Sequence, residues 1–162
     1  MIEKLVMREN SIPDGILHDQ DLYKIELNGK ELTLSFKTYY YPQDYTKAEF
    51  AERYKDFTKC HIKCRLENDC FCSVTLTSAL NKKNSYKGKV LSVAEFVEIA
   101  NAEMKKREKK GYHPWEYVYT YISPNCRCAI IELSIWSLKY KGTDYGTCLL
   151  ELDTDEIEYI WE

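Results

Sequence analysis

The sequence predicts an α+β protein: a large, curved, mainly antiparallel sheet of about 7–9 strands with one long and one short helix. Three observations predict it. Asn28-Gly29 lies between two runs that alternate apolar and polar residues, the pattern of a tight hairpin. One stretch after Ser92-x-x-Glu95 repeats apolar residues at helical spacing. The last third holds four period-two runs separated by turn signals, which read as a C-terminal four-stranded meander.

Taken in order, a strand is expected from Glu3 to Arg8, then an irregular turn at Ile12-Pro13-Asp14-Gly15. The hairpin follows. A two-residue Asn28-Gly29 loop sets Ile25 against Leu32 and Tyr23 against Leu34, so both strands turn their apolar side chains to one face. A three-residue Leu27-Asn28-Gly29 loop would gain the Glu26–Lys30 pair, worth under about 1 kcal/mol at a surface. It would also expose several large apolar side chains at roughly 1.5 to 3 kcal/mol each. The second arm alternates through Leu32, Leu34, Phe36, Thr38 and Tyr40 until Pro42.

Phe50, Tyr54 and Phe57 share a helical face after the capping box Thr46-x-x-Glu49, which predicts the short helix. Cys60, Ile62, Cys64 and Leu66 then alternate with Lys59, His61, Lys63 and Arg65, a half-buried strand with a basic outer face. A three-residue Glu67-Asn68-Asp69 loop would set Leu66 against Cys70, Cys64 against Cys72 and Ile62 against Val74. Asn81 to Lys89 reads as an exposed basic loop. Val93, Phe96, Val97, Ala100 and Met104 form the stripe of the long helix, which Gly111 ends; the run Lys105 to Lys110 complements its carbonyl end. The meander strands are expected over 112–122, 126–140, 146–152 and 157–161. Apolar matching then sets Tyr121 by Cys126, Trp136 by Leu150, and Leu150 against Tyr159.

At 162 residues without a shift in composition, the chain reads as a single domain over 1–162. The 14 Tyr favour strands. A formal net charge of −3 argues against a general nucleic-acid or anionic-membrane binder. The opening ten residues carry acids and no apolar run, so neither a signal peptide nor an anchor is expected, and the expected location is cytoplasmic. Seven Cys, an odd number, then read as reduced thiols.

The Cys residues are the sharpest chemical feature. Cys60-x3-Cys64, Cys70-x-Cys72 and Cys126-x-Cys128 supply soft ligands, but structural zinc sites favour Cys-x2-Cys turns. Small buried hydrophobes are the simpler account, and no metal or cofactor is assigned. His61 points away from Cys60 and Cys64 in a regular strand, which leaves no Cys–His dyad, and no catalytic motif is present. No catalytic residue is assigned. Trp115, Tyr117, Tyr119 and Tyr121 form a stripe read as packing rather than a stacking platform. Two surfaces remain as binding candidates. One is the aromatic cluster Tyr39, Tyr40, Tyr41 and Tyr45, and the other is the acidic tail with Asp153, Asp155, Glu156 and Glu158, which suits a basic protein partner.

Leu17-His18-Asp19-x2-Leu22-x2-Ile25-x6-Leu32-x-Leu34-x-Phe36 resembles the opening of several small bacterial α+β families, some of whose members resemble immunity proteins that bind and neutralise a cognate toxin. The resemblance implies a non-catalytic cytosolic binding protein in which His18 and Asp19 fix the turn entering the strand, the Asp carboxylate bonding nearby backbone N–H groups. The alternative is a metal- or thiol-dependent protein using the Cys60, Cys64, Cys70 and Cys72 face.

Overall fold

The computed structural model describes residues 1–6, 17–38, 52–77, 86, 88–109, 115–123, 127–136 and 145–162. In chain order the strands are β1 (Ile2–Val6), β2 (Asp21–Asn28), β3 (Glu31–Lys37), β4 (Lys59–Arg65), β5 (Ser73–Leu76), β6 (Val90–Leu91), β7 (Trp115–Ile122), β8 (Ala129–Trp136), β9 (Tyr145–Leu152) and β10 (Glu156–Trp161), with helix α1 (Val93–Glu108) between β6 and β7. They form one open sheet in the order β1-β10-β4-β3-β2-β7-β8-β9-β5-β6. Every pairing is antiparallel. The α+β class and the mainly antiparallel sheet are as the alternation predicts, with ten described strands in place of the expected number.

The sheet has to curl. Asp153, Thr154 and Asp155 alone join β9 to β10, yet six inter-strand steps separate those two strands in the sheet. Laid flat, six steps span about 29 Å, whereas the four-residue reach from Leu152 to Glu156 is at most about 14 Å. Residues 66–72 join β4 to β5 across the same six steps. The two connections run side by side, with Glu67 N donating to the Asp153 carbonyl at 2.8 Å and Asp153 N donating to Cys72 Sγ at 3.2 Å. The core lies on the inside of this curl. One row across it is Ile25, Leu34, Ile62 and Tyr159, and another is Ala129 with Leu152, both buried.

This curl corrects the expected four-stranded meander. β7, β8 and β9 are successive neighbours, but β10 inserts between β1 and β4, so Tyr159 lies opposite Ile62 and Leu150 opposite Ile131. The hairpin expected between the strands at 60–66 and 70–76 is also absent, because β4 pairs with β3 and β10 while β5 pairs with β9 and β6. Alternation at period two satisfies any partner of the same parity, so apolar matching alone does not choose among them.

The first hairpin forms with a two-residue loop one position later than expected. Asn28 pairs with Glu31, Leu27 with Leu32 and Ile25 with Leu34, which leaves Gly29 and Lys30 as the loop. Gly29 has φ +61 and is the loop's one positive-φ residue, which suits a type II′ turn rather than type I′. A bulge between Leu22 and Lys24 then brings Leu22 opposite Phe36. The observed register matches one more pair of large apolar residues than the expected one. The β7–β8 turn likewise spans 123–128, with Ile122 opposite Ala129 and Tyr121 opposite Ile130 instead of Cys126.

Helix α1 begins at the expected capping box. Glu95 N donates to Ser92 Oγ at 3.2 Å, and Ser92 N returns a bond to Glu95 Oε2 at 2.9 Å. Val93, Phe96, Ala100 and Met104 are buried, and Phe96 meets the Trp115 ring edge-on at 5.5 Å. The helix packs against β2 and β5 from the inner side. β2 and β7 pair at Asp21–Glu116 alone. Where they part, Asn101 takes the place of a strand: its Nδ2 donates to the Ile25 carbonyl at 2.7 Å and its Oδ1 accepts from the Ile25 amide at 3.3 Å.

A second polar anchor holds the other half. Glu3 on β1 accepts from the Tyr54 hydroxyl at 2.6 Å and from Trp161 Nε1 at 2.8 Å, and it pairs with Arg53. Residues 52–54 are helical, the described part of the expected short helix, and they set Tyr54 against the Trp161 ring at 4.7 Å between centroids. Burial, reinforced by the neighbouring carboxylate, pushes the Tyr54 hydroxyl's pKa up.

Two outcomes follow from these anchors. Asn101→Ala strands both backbone groups of Ile25 and lowers unfolding free energy by about 2 kcal/mol in denaturant titration, whereas an Asn lying at the surface would cost under about 0.5. The bonds from Ser92 hold the Glu95 carboxyl below its ordinary pKa. That contribution is therefore present above the unfolded carboxylate's pKa and is lost as pH falls through the folded one. Thermal melts of Glu95→Gln accordingly vary less across the acid range than those of the wild type.

Candidate functional site

The acidic tail is drawn into the fold. Asp155 Oδ1 lies 3.0 Å and Asp153 Oδ1 3.6 Å from Arg127 Nε, and Glu67 Oε2 lies 3.7 Å from Arg127 Nη2. Glu158 sits opposite Lys63 on one side and Lys4 on the other in register, because β10 is an internal strand between β1 and β4. Glu156 and Glu158 line a shallow groove of about 300 Å³ with Glu31, Lys63 and Arg65. The four predicted residues thus share one end of the sheet with cations from β4 and from the β7–β8 turn. The other predicted cluster, Tyr39, Tyr40, Tyr41 and Tyr45, lies outside the described residues, as does Cys126.

The thiols are shut in. Cys60, Cys64 and Cys148 are buried, and burial pushes all three up, Cys64 to about 12. Cys72 is raised by burial as well. Cys70 is exposed, and none of the described cysteines is in a disulfide. Among the described residues no group of three or more His, Cys, Asp or Glu is placed to hold a metal ion.

Leu17-His18-Asp19 is a turn, by a different device from the one expected. Gln20 N donates to the Leu17 carbonyl at 3.0 Å, with Leu17 and Gln20 buried. Asp19 has φ +62, a left-handed conformation that Asp tolerates better than most residues. Its carboxylate faces outward to His18 Nδ1 at 3.0 Å. The backbone of Asp19 supplies the bracket, and its side chain decorates the surface.

One polar constellation escaped the sequence altogether. Ser35 on β3 and His61 on β4 are a cross-strand pair, with Ser35 Oγ 2.8 Å from His61 Nδ1 and Glu162 Oε2 3.4 Å from His61 Nε2. They line an outer-face groove of about 480 Å³ with Tyr23, Lys24, Lys63 and Ile160. A Ser–His–carboxylate series invites a nucleophilic reading. The setting opposes it: Ser35 is 2% exposed, and its strand is paired on both sides, so its backbone amides belong to the ladder rather than to an oxyanion hole. The chain of contacts orients the imidazole. The residues are 26 and 101 positions apart in sequence, and only the β3–β4 and β4–β10 registers unite them.

The exposed aromatic feature is on the opposite half. The expected stripe Trp115, Tyr117, Tyr119 and Tyr121 is broken by a bulge between Tyr117 and Tyr119. Trp115 is fully buried, while Tyr119 and Tyr121 turn outward at 39% and 46% exposure, and Thr120 and Ile122 take the inner face. In register beside them on the outer face lie Ile130 and Glu132 of β8 and Leu149 and Glu151 of β9. The Tyr119 hydroxyl bonds Glu132, whose carboxylate pushes its pKa up. Helix α1 covers the inner face and leaves this outer one open.

Comparison of the chain with protein-family models, curated proteins and solved structures returned no significant match.

Two measurements check the site. Alkylation of the native protein near pH 8 followed by peptide mass mapping labels Cys70, with Cys60, Cys64 and Cys148 reacting only after unfolding; rapid labelling of those three would revive a thiol chemistry. At the turn, Asp19→Ala lowers stability by about 1 kcal/mol while Asp19→Gly stays within about 0.5. Equal losses would move the role back to the carboxylate.

Proposed function

We propose that the chain is a non-catalytic protein-binding module. The observation that carries the reading is the open outer face of the sheet, where Tyr119 and Tyr121 stand exposed on rigid paired strands while the nucleophilic side chains Ser35, Cys60, Cys64 and Cys148 are buried. Exposed Tyr on a fixed scaffold supplies contact area at small entropic cost. Burial of Cys60, Cys64 and Cys72, which pushes their thiols up, weighs against the metal- or thiol-dependent alternative.

The finer reading is an immunity-like role in the cytoplasm, in which the chain binds and neutralises a toxin. The resemblance of the stretch from Leu17 to Phe36 supports it, and the free thiols suit a reducing compartment. Among the described residues no helix is long and apolar enough to cross a membrane.

Affinity purification from the native host tests the reading. The expected result is one partner in fixed stoichiometry by light scattering, with amides of the outer strands gaining protection from hydrogen exchange in the complex. Failure to recover any stoichiometric partner across growth conditions, or turnover of a substrate by the purified chain, overturns it.

A further inference from the structure

Charge is distributed unequally along the sheet. Strands β1–β4 and β10 carry Lys4, Lys24, Lys37, Lys59, Lys63 and Arg65 against an equal number of acids, several of them paired, as Lys24 with Glu26 at 2.8 Å and Lys63 with Glu31 at 3.0 Å. Strands β5 to β9 contain no Lys or Arg at all, and they carry Glu116, Glu132 and Glu151. Two described cations flank these strands and both are engaged: Arg127 lies between Asp153 and Asp155, and Lys89 lies over the Tyr86 ring. The half that exposes Tyr119 and Tyr121 is therefore the half whose strands supply no cation to Glu132 and Glu151.

We infer that the outer face of β7, β8 and β9 is the docking surface, and that its occupant is a basic polypeptide segment whose Lys or Arg side chains meet Glu132 and Glu151 and whose stems cover Tyr119, Tyr121, Ile130 and Leu149. This rests on the protein-binding reading and gives it a face and a partner chemistry. Registers place the groups in two rows, Tyr119–Glu132–Leu149 and Tyr121–Ile130–Glu151. The first row alternates apolar surface with a carboxylate, the second sets Ile130 between Tyr121 and Glu151, and neighbouring strands lie about 4.8 Å apart. A guanidinium bonds a carboxylate in a fork and stacks on a Tyr face at the same time, so Arg suits the adjacent Tyr119 and Glu132 better than Lys does, while Glu151 takes a second cation whose stem lies over Ile130. The acidic tail is already supplied with cations, Asp153 and Asp155 by Arg127, and Glu158 lies in register with Lys63.

Titration of the isotopically labelled full chain with a hexa-arginine peptide, followed by amide chemical shifts, tests the inference. Saturable shifts are expected at Tyr119, Tyr121, Glu132, Leu149 and Glu151, weakening steeply with added salt. A hexa-glutamate peptide should leave the spectrum unchanged. Glu132→Gln with Glu151→Gln keeps both hydrogen-bond acceptors and removes the charge, and it should weaken the peptide at least about tenfold. Glu156→Gln with Glu158→Gln should change the affinity less than about twofold. Shifts centred on β4, β10 or the 153–155 connection overturn the inference, as does equal affinity in the Glu132/Glu151 variant. Concentration-dependent dimerisation that Tyr121→Arg abolishes also overturns it, by assigning the face to a second copy of the chain. A host partner captured through a different face sinks this surface and leaves the protein-binding reading intact, whereas the absence of any host partner sinks that reading itself.

Discussion

The short crossing from Leu152 to Glu156 is the constraint on which the rest of the structure depends. Three residues cannot bridge six strand positions of a flat sheet, so β9 and β10 bring the two halves of the sheet together at that end. The second crossing, residues 66–72, runs beside the first and is tied to it through Glu67, Cys72 and Asp153. Arg127 reaches over both, toward Glu67 and toward Asp153 and Asp155. The acidic tail is best understood in this context. Its charges help hold two crossings and a turn at one place, and so they are spent inside the molecule before a partner can use them.

The thinnest seam within the curled sheet lies between β2 and β7, which pair at Asp21–Glu116 alone. The backbone of Ile25 would be left without a ladder there, which in a half-buried setting costs more than one ordinary hydrogen bond contributes. Asn101 answers with an amide, the one side chain that presents a donor and an acceptor in the arrangement of a peptide group. This bond also sets where α1 lies, and with it the contact of Phe96 with Trp115. Glu3 plays the matching part on the far side, collecting donors from Tyr54 and Trp161 under the short helix. Both anchors are polar residues at the margin of an apolar core, where partners at fixed geometry define position as well as energy.

These constraints explain why the functional surface falls where it does. Both helical elements are used on the inner side, one against β2 and β5 and the other against Trp161. Among the described residues no helix packs on the outer side, and the bulge in β7 turns two tyrosines toward it. On the first half, charges of both signs interleave and satisfy each other across strands, around a groove floored by the hydroxyls of Thr33 and Ser35. On the second half Glu132 lies between Tyr119 and Leu149, and Glu151 between Ile130 and Ser73, whose hydroxyl donates to it at 3.0 Å. A partner is recognised through what the fold leaves unmatched.

Local chemistry determined much of this protein from sequence by itself. The capping box of α1 and its buried stripe, the alternation that puts Cys60, Ile62 and Cys64 inside and His61 outside, and the existence of the Gly29 turn all depend on neighbours a few residues away. Only the tertiary structure decided the rest. The register of the first hairpin moved one place because Leu27 with Leu32 and the bulge at Tyr23 were worth more together than the preferred Asn-Gly turn. β10 left β9 for β4 because strands of equal parity are interchangeable until chain reach and curl select among them. Tyr119 and Tyr121 became surface through one inserted residue, whose place in β7 depends on pairing with β8 and leaves no mark in the composition of the strand. Ser35, His61 and Glu162 met across registers that no short-range signal encodes. Period and capping are local quantities; partner, register and face are set by the closure of the whole sheet.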